Sequence, residues 1–174
     1  MNMRGQDERR FKVKMTHQKN YQFLSQASED GRLHGKPYLS DEPDPVGDDT
    51  GPSTPALLGS ALGHCLSASL LEALKHSHID VLECETEAVV VVKPNVEGLP
   101  RIDRVEVTIS PLLAESNPRT KRCEEVFENY CTVTSSVKCG IEVQINVDWQ
   151  IKSHEDRPGK IQTSDLVSKK PRLL

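Results

Sequence analysis

The segment 54–76, TPALLGSALGHCLSASLLEALKH, constrains the fold more than any other stretch of this chain. A hydroxyl at Thr54 followed by Pro55 is a helix start: an N-cap, then a proline where its missing N–H costs nothing. Leu58, Leu62, Cys65, Ser69 and Leu70 recur at helical spacing, and Ala61, Leu66 and Ala73 widen the apolar side. The pattern predicts a helix to about Ser77. Gly59 and Gly63 lie one turn apart inside it, each less favourable than alanine by about 1 kcal/mol. Two such glycines serve close approach of another element, so this helix is expected to be central.

The flanking sequence reads as paired strands. Residues 11–15, FKVKM, alternate apolar and basic; THQKN follows as a turn and YQFLSQA as a second strand. A third strand is an option after the turn EDGRLHG, before the Asp/Pro/Gly-rich loop 40–55. Residues 79–94 form a long strand, expected to be buried towards its continuously apolar end, and 101–110 alternate through Ile102, Val105, Val107 and Ile109. These two form a predicted hairpin. Asn117-Pro118 opens a second helix with Cys123, Val126, Phe127 and Tyr130 on its apolar side. A Thr/Ser-rich turn then leads from Cys131 to a last alternating strand, 140–151, which carries Trp149 as packing. Paired strands around a long helix predict an α+β fold with a mostly antiparallel sheet. The domain is expected to span 11–152, between a short extension (1–10) and a polar tail (153–174).

Lys and Arg total 22 against 26 Asp and Glu, a net charge of −4 that gives no long-range attraction to nucleic acid or anionic lipid. With aromatic residues at 4%, stacking platforms for single-stranded nucleic acid are scarce. No uninterrupted apolar run approaches the roughly 20 residues that span a bilayer, and MNMRGQDERRFKVKM lacks a secretory h-region. The expectation is a cytoplasmic protein without nucleic-acid or membrane partners. Five cysteines (Cys65, Cys84, Cys123, Cys131 and Cys139) are an odd number with no CxxC, which argues against a disulfide scaffold or a zinc knuckle.

Burial on the apolar side of its helix would make Cys65 inert, and core packing is the default reading. Cys131, at a helix end beside a polar turn, is expected to be the more accessible thiol. Two such thiols can reduce a peroxide if the fold joins them: one becomes a sulfenic acid and the other condenses with it. The remaining candidates have simpler readings. His64 projects about 100° away from Cys65. His76 and His78 suit a helix C-terminus, Cys84 and Cys123 read as packing, and Cys139 as a bystander in a turn. Ser135 and Ser136 serve turn hydrogen bonds.

TPALLGSALGHCLSASLLEAL and NYCTVTSSVKCGIEVQINV, in this order and with the strand RIDRVEVTIS between them, resemble the OsmC/Ohr family of osmotically induced and organic-hydroperoxide-resistance proteins. The resemblance implies an intertwined homodimer with sites at the subunit interface. It also implies reduction of organic hydroperoxides by two cysteines and a lipoyl-type dithiol reductant, with no metal or organic cofactor. By position, Cys65 is the attacking thiol and Cys131 the resolving one. Family peroxidases pair a glutamate at the start of the central helix with an arginine from the first hairpin. Here Pro55 and Ala56 occupy the glutamate region, Lys19 stands where the arginine is expected, and Arg32 is a second candidate cation. Asp48 or Asp49 is the carboxylate available to replace the glutamate. The alternative is a non-catalytic member whose interface pocket holds an apolar ligand.

Overall fold

A computed structural model describes residues 8–140 of the chain. Three strands come first: β1 (Phe11–His17), β2 (Phe23–Glu29) and β3 (Arg32–Ser40). They form an antiparallel sheet in the order β1-β2-β3, with His17 opposite Phe23 and Glu29 opposite Arg32. The optional third strand is therefore real. It starts directly after a two-residue turn, Asp30-Gly31, where both residues have positive φ.

The long loop predicted for 40–55 leads into α1 (Thr54–His76), followed by β4 (Val81–Pro94) and β5 (Pro100–Leu113), an antiparallel hairpin. The N-cap of α1 is Ser53 rather than Thr54, one residue earlier than read, and its side chain makes no capping bond. The buried stripe is Gly59, Leu62, Gly63, Leu66, Leu70 and Leu74. The glycines act as the sequence implied: a Cβ on Gly59 would lie 3.0 Å from Val90 Cγ2, and one on Gly63 3.3 Å from Thr86 Cγ2. Ser67 Oγ, one turn further along, meets Thr86 Oγ1 at 2.6 Å, joining helix to strand where the backbones are closest.

Burial of β4 departs from expectation. Its apolar end is incompletely covered: Ala88, Val90 and Val91 are half-buried, whereas Val89 and Val92 are each 44% exposed. The alternation of β5 holds for Val105, Val107 and Ile109 but fails at Ile102, because a register shift between Val91 and Val92 turns that end of the hairpin.

Averaged over its most apolar stretch, α1 has a mean hydropathy of 1.4 and is long enough to cross a membrane, which a search for uninterrupted apolar runs overlooks. Here its glycine face lies on β4, as a core helix does.

The second helical region is shorter and more broken than predicted. α2 runs Thr120–Val126, begun by an Asn117 side chain that accepts the N–H of Arg119 at 3.0 Å, and passes into a 3-10 turn, Phe127–Tyr130. Cys123 joins Leu70, Leu74 and Ile79 in the core, but Tyr130 is 69% exposed. The largest difference follows. Residues read as a polar turn form a third helix, α3 (Thr132–Cys139), closed by Gly140 at φ 75°. The last strand, Trp149 and the tail lie outside the described residues.

The three-stranded sheet carries an apolar face on which no other described element packs. Phe11, Val13 and Met15 share that face with Phe23 and Tyr38 by register, and all five are exposed, Phe11 to 67% and Met15 to 62%.

Candidate dithiol site

Helical periodicity puts Cys65 and Ser69 on one side of α1, four residues apart. The chain then returns through α2 and the 3-10 turn to set Cys131 against them. Cys131 is the N-cap of α3, with extended backbone (φ −82°, ψ 100°), and its carbonyl accepts the N–H of Ser135 at 3.1 Å. The Cys65 thiol and the Ser69 hydroxyl on α1 are the groups of that helix that bear on the acidity of its thiol. The two thiols, 66 positions apart in sequence (131 − 65), are brought near enough to perturb each other's ionisation, and neither is in a disulfide.

Accessibility reverses the sequence expectation. Cys131 is 0% exposed, whereas Cys65 on the core helix is only partly buried. The reason is α3: a helix in place of a polar turn folds the Cys131 side chain inward against α1.

The first turn of α3 supplies the electrostatics. Burial pushes the Cys131 thiol up, but the Cys65 thiol, the Thr134 hydroxyl and N–H, and the Ser69 hydroxyl outweigh it, and the group is net acidified. Thr134 Oγ1 sits 3.1 Å from Cys131 Sγ. Cys65 moves the other way. Burial and the neighbouring sulfur raise it, and the N–H groups of Val133 and Thr134 only partly compensate. The two thiols are thus shifted in opposite directions, Cys131 down and Cys65 up.

Of the two expected cations, Lys19 lies in the β1–β2 turn and its ammonium is 3.0 Å from Asp48 Oδ2. One of the two candidate carboxylates in the loop before α1, Asp48, is thus its partner. Asn20 and Gln22 also donate to Asp48, each at 3.2 Å. Beneath them, Asp41 accepts from the N–H groups of Asp48 and Thr50 and from the Thr50 hydroxyl. Burial raises the Asp41 carboxyl, but these bonds and the Glu42 N–H hold it at about 2. Arg32 is at the other end of the sheet, opposite Glu29, about 20 Å from the Lys19 turn at the rise of a strand. The structure joins Cys65 with Cys131 and Lys19 with Asp48. The groups that bear most on the two sulfurs are thiols, hydroxyls and amides, with no cation among them.

The other cysteines sit as packing predicts. Cys123 is 2% exposed, with its sulfur 3.2 Å from Ser77 Oγ, and Cys84 is half-buried on β4. Cys139 is exposed, but it ends α3 and is not in a turn. His64 faces solvent. Among the described residues no three His, Cys, Asp or Glu side chains gather for a metal. Sequence reading missed Thr134 and Ser69 as neighbours of the pair. The signals present were the four-residue spacing of Cys65 and Ser69, and Gly140 as a helix stop.

A long helix backed by an antiparallel β-hairpin defines an α+β fold. Residues 47–146 match the family model of the OsmC-like proteins, and the chain belongs to that family. No curated protein matches the sequence. Solved structures with the same fold include an OsmC-like protein of unknown function from Vibrio cholerae (15% identity, 74% of this chain and 92% of that one, TM-score 0.56). Another is the OsmC-like protein of Mycoplasma pneumoniae (13%, 74% and 87%, 0.58). A third is the organic hydroperoxide resistance protein OsmC of Legionella pneumophila (10%, 74% and 89%, 0.52). At these identities the likeness is one of fold.

Proposed function

We propose that this protein is a cytoplasmic, homodimeric thiol peroxidase that reduces organic hydroperoxides at Cys65 and Cys131. The observation that carries the reading is the packing of α3 against α1, which brings Cys131 near enough to Cys65 for each thiol to shift the other's ionisation. Cys65, the more exposed sulfur, attacks the terminal oxygen of the hydroperoxide. The O–O bond breaks, the alcohol departs, and Cys65 becomes a sulfenic acid. Cys131 then displaces that oxygen as water and forms the disulfide. A lipoyl-type dithiol restores both thiols and is itself oxidised to its disulfide. Burial of Cys131 suits this division of labour, because a resolving sulfur needs to reach only Cys65.

The open apolar face of the β1–β3 sheet supports the dimer, since a patch of that kind on a small sheet calls for a partner. The family resemblance puts the sites at the subunit interface, and there the Lys19–Asp48 pair is the candidate cation for a Cys65 thiolate. Arg32, at the far end of the sheet, cannot join the same ion pair.

The non-catalytic alternative, an apolar ligand held at the subunit interface, draws on the uncharged surroundings of the two sulfurs. Consumption of cumene or tert-butyl hydroperoxide with a dithiol donor separates the two readings. The peroxidase account expects turnover that Cys65→Ser abolishes; equal rates for both proteins would refute it.

A further inference from the structure

We propose that Gln22 is the positioning residue of the Lys19–Asp48 pair, holding both of its ends from a buried hydrogen-bond network with Thr50 and Asp41. The inference rests on the reading of Lys19 as the cation for a Cys65 thiolate. It concerns how a flexible ammonium is kept in one place.

Gln22 is 5% exposed and Asp41 2%, so two polar side chains are buried beneath a surface ion pair. The backbone N–H of Gln22 donates to the Lys19 carbonyl at 2.8 Å, and its side-chain amide donates to Asp48 Oδ2 at 3.2 Å. One residue thus grips the cation through its turn and the anion through its carboxylate. The second amide hydrogen goes to Thr50 Oγ1 at 2.9 Å, and the Thr50 hydroxyl donates to Asp41 Oδ2 at 2.8 Å. The amide nitrogen also passes 3.5 Å from Asp41 Oδ2. Each of these three hydrogens has its own acceptor. The carboxylate of Asp48 fixes the direction, because an inverted amide would set its oxygen against that charge.

Asp41 is the foot of the network. Its Oδ2 accepts the N–H groups of Asp48 at 3.1 Å and Thr50 at 3.2 Å, and its Oδ1 accepts that of Glu42 at 2.9 Å. The loop backbone is thus wrapped around one carboxylate. Gly47 permits the close approach, since a Cβ there would lie 2.7 Å from Asp41 Oδ1. A lysine carries a point charge on a flexible four-carbon stem, whereas an arginine orients itself on a carboxylate through two parallel bonds. Here the order comes from the carboxylate side. Asp48 Oδ2 receives Gln22 and, at 3.2 Å, Asn20, so Lys19 Nζ at 3.0 Å meets an acceptor held in one orientation.

The test uses reduced full-length protein and reads two rates at Cys65 by peptide mapping at neutral pH. One is alkylation by iodoacetamide, which reports the thiolate without any peroxide. The other is sulfenic acid formation with tert-butyl hydroperoxide, trapped with dimedone. Gln22→Met and Thr50→Val should each slow both rates about fivefold, within the coupling range of neighbours in one hydrogen-bond network, and Thr50→Ser should keep the wild-type rates. In a Lys19→Met background neither substitution should slow them further, because the network acts through that ammonium. A purely structural role would lower the rates by the same factor in both backgrounds. Thr50 lies at the surface, so its Val and Ser variants decide the matter if Gln22→Met fails to fold. Wild-type alkylation in Gln22→Met and Thr50→Val, or equal slowing with and without Lys19, would overturn the positioning role. Alkylation that responds as expected in a protein forming neither sulfenic acid nor disulfide would overturn the peroxidase reading alone.

Discussion

Lys19 Nζ lies 3.0 Å from Asp48 Oδ2, an ion pair that bridges the first β-turn and the loop before the central helix. Both groups keep substantial exposure, 63% and 34%, so the pair should contribute about 0–1 kcal/mol to stability. Its value lies in fixing one cation at a defined place. Lys19→Met is expected to leave the thermal midpoint within a few degrees of wild type while lowering kcat/KM for tert-butyl hydroperoxide at least tenfold. Lys19→Arg should retain most of the activity. Unchanged kinetics in Lys19→Met would remove this residue from the reaction.

Asp41 anchors the same loop from below. Its carboxyl is held at about 2, against an ordinary 3.8, because the folded loop stabilises the charged form. A carboxyl depressed by folding adds stability that is fully present above its ordinary value and lost as pH falls through the folded one. The anchor should therefore hold at pH 4 and fail progressively towards pH 2. Amide exchange at Asp48 and Thr50, whose N–H groups Asp41 accepts, should rise over that interval. In Asp41→Asn the same amides should exchange faster already at neutral pH.

Gly59 has no space for a larger side chain, with Val90 Cγ2 at 3.0 Å from its notional Cβ. Gly59→Val is expected to destabilise by about 1–3 kcal/mol through overpacking, read as a lower urea midpoint at unchanged m-value. A wild-type midpoint would mean that α1 and β4 do not meet here.

The open face of the β1–β3 sheet gives the assembly prediction. Val13 and Met15, on its edge strand β1, are 47% and 62% exposed. Val13→Asp should convert the dimer to a monomer in sedimentation or light-scattering measurements and abolish peroxide turnover. A wild-type protein that is monomeric at micromolar concentration would contradict the interface.

What was legible in the sequence follows from the strength of local signals. The helix 54–76, its glycine contacts and the β4–β5 hairpin carry strong periodicity and are found as read. The pairing of Lys19 with Asp48 was legible only as one of two candidate carboxylates, since a loop rich in Asp and Pro does not reveal which oxygen points where. Helix α3 was missed because Thr132, Thr134, Ser135 and Ser136 favour turns locally, and packing against α1 overrides that preference. Gly140, just beyond Cys139, was the available stop signal. That one misreading also inverted the exposure of Cys131, since a helix here buries the thiol that a turn would have displayed.

The most direct test is peptide mapping of reduced full-length protein after one equivalent of cumene hydroperoxide, alongside peroxide consumption. The account predicts a Cys65–Cys131 disulfide in near-stoichiometric yield, its loss in both cysteine-to-serine variants, and a persistent sulfenic acid on Cys65 when Cys131 is absent. Peroxide consumed without that disulfide, or by Cys65→Ser at the wild-type rate, would contradict it.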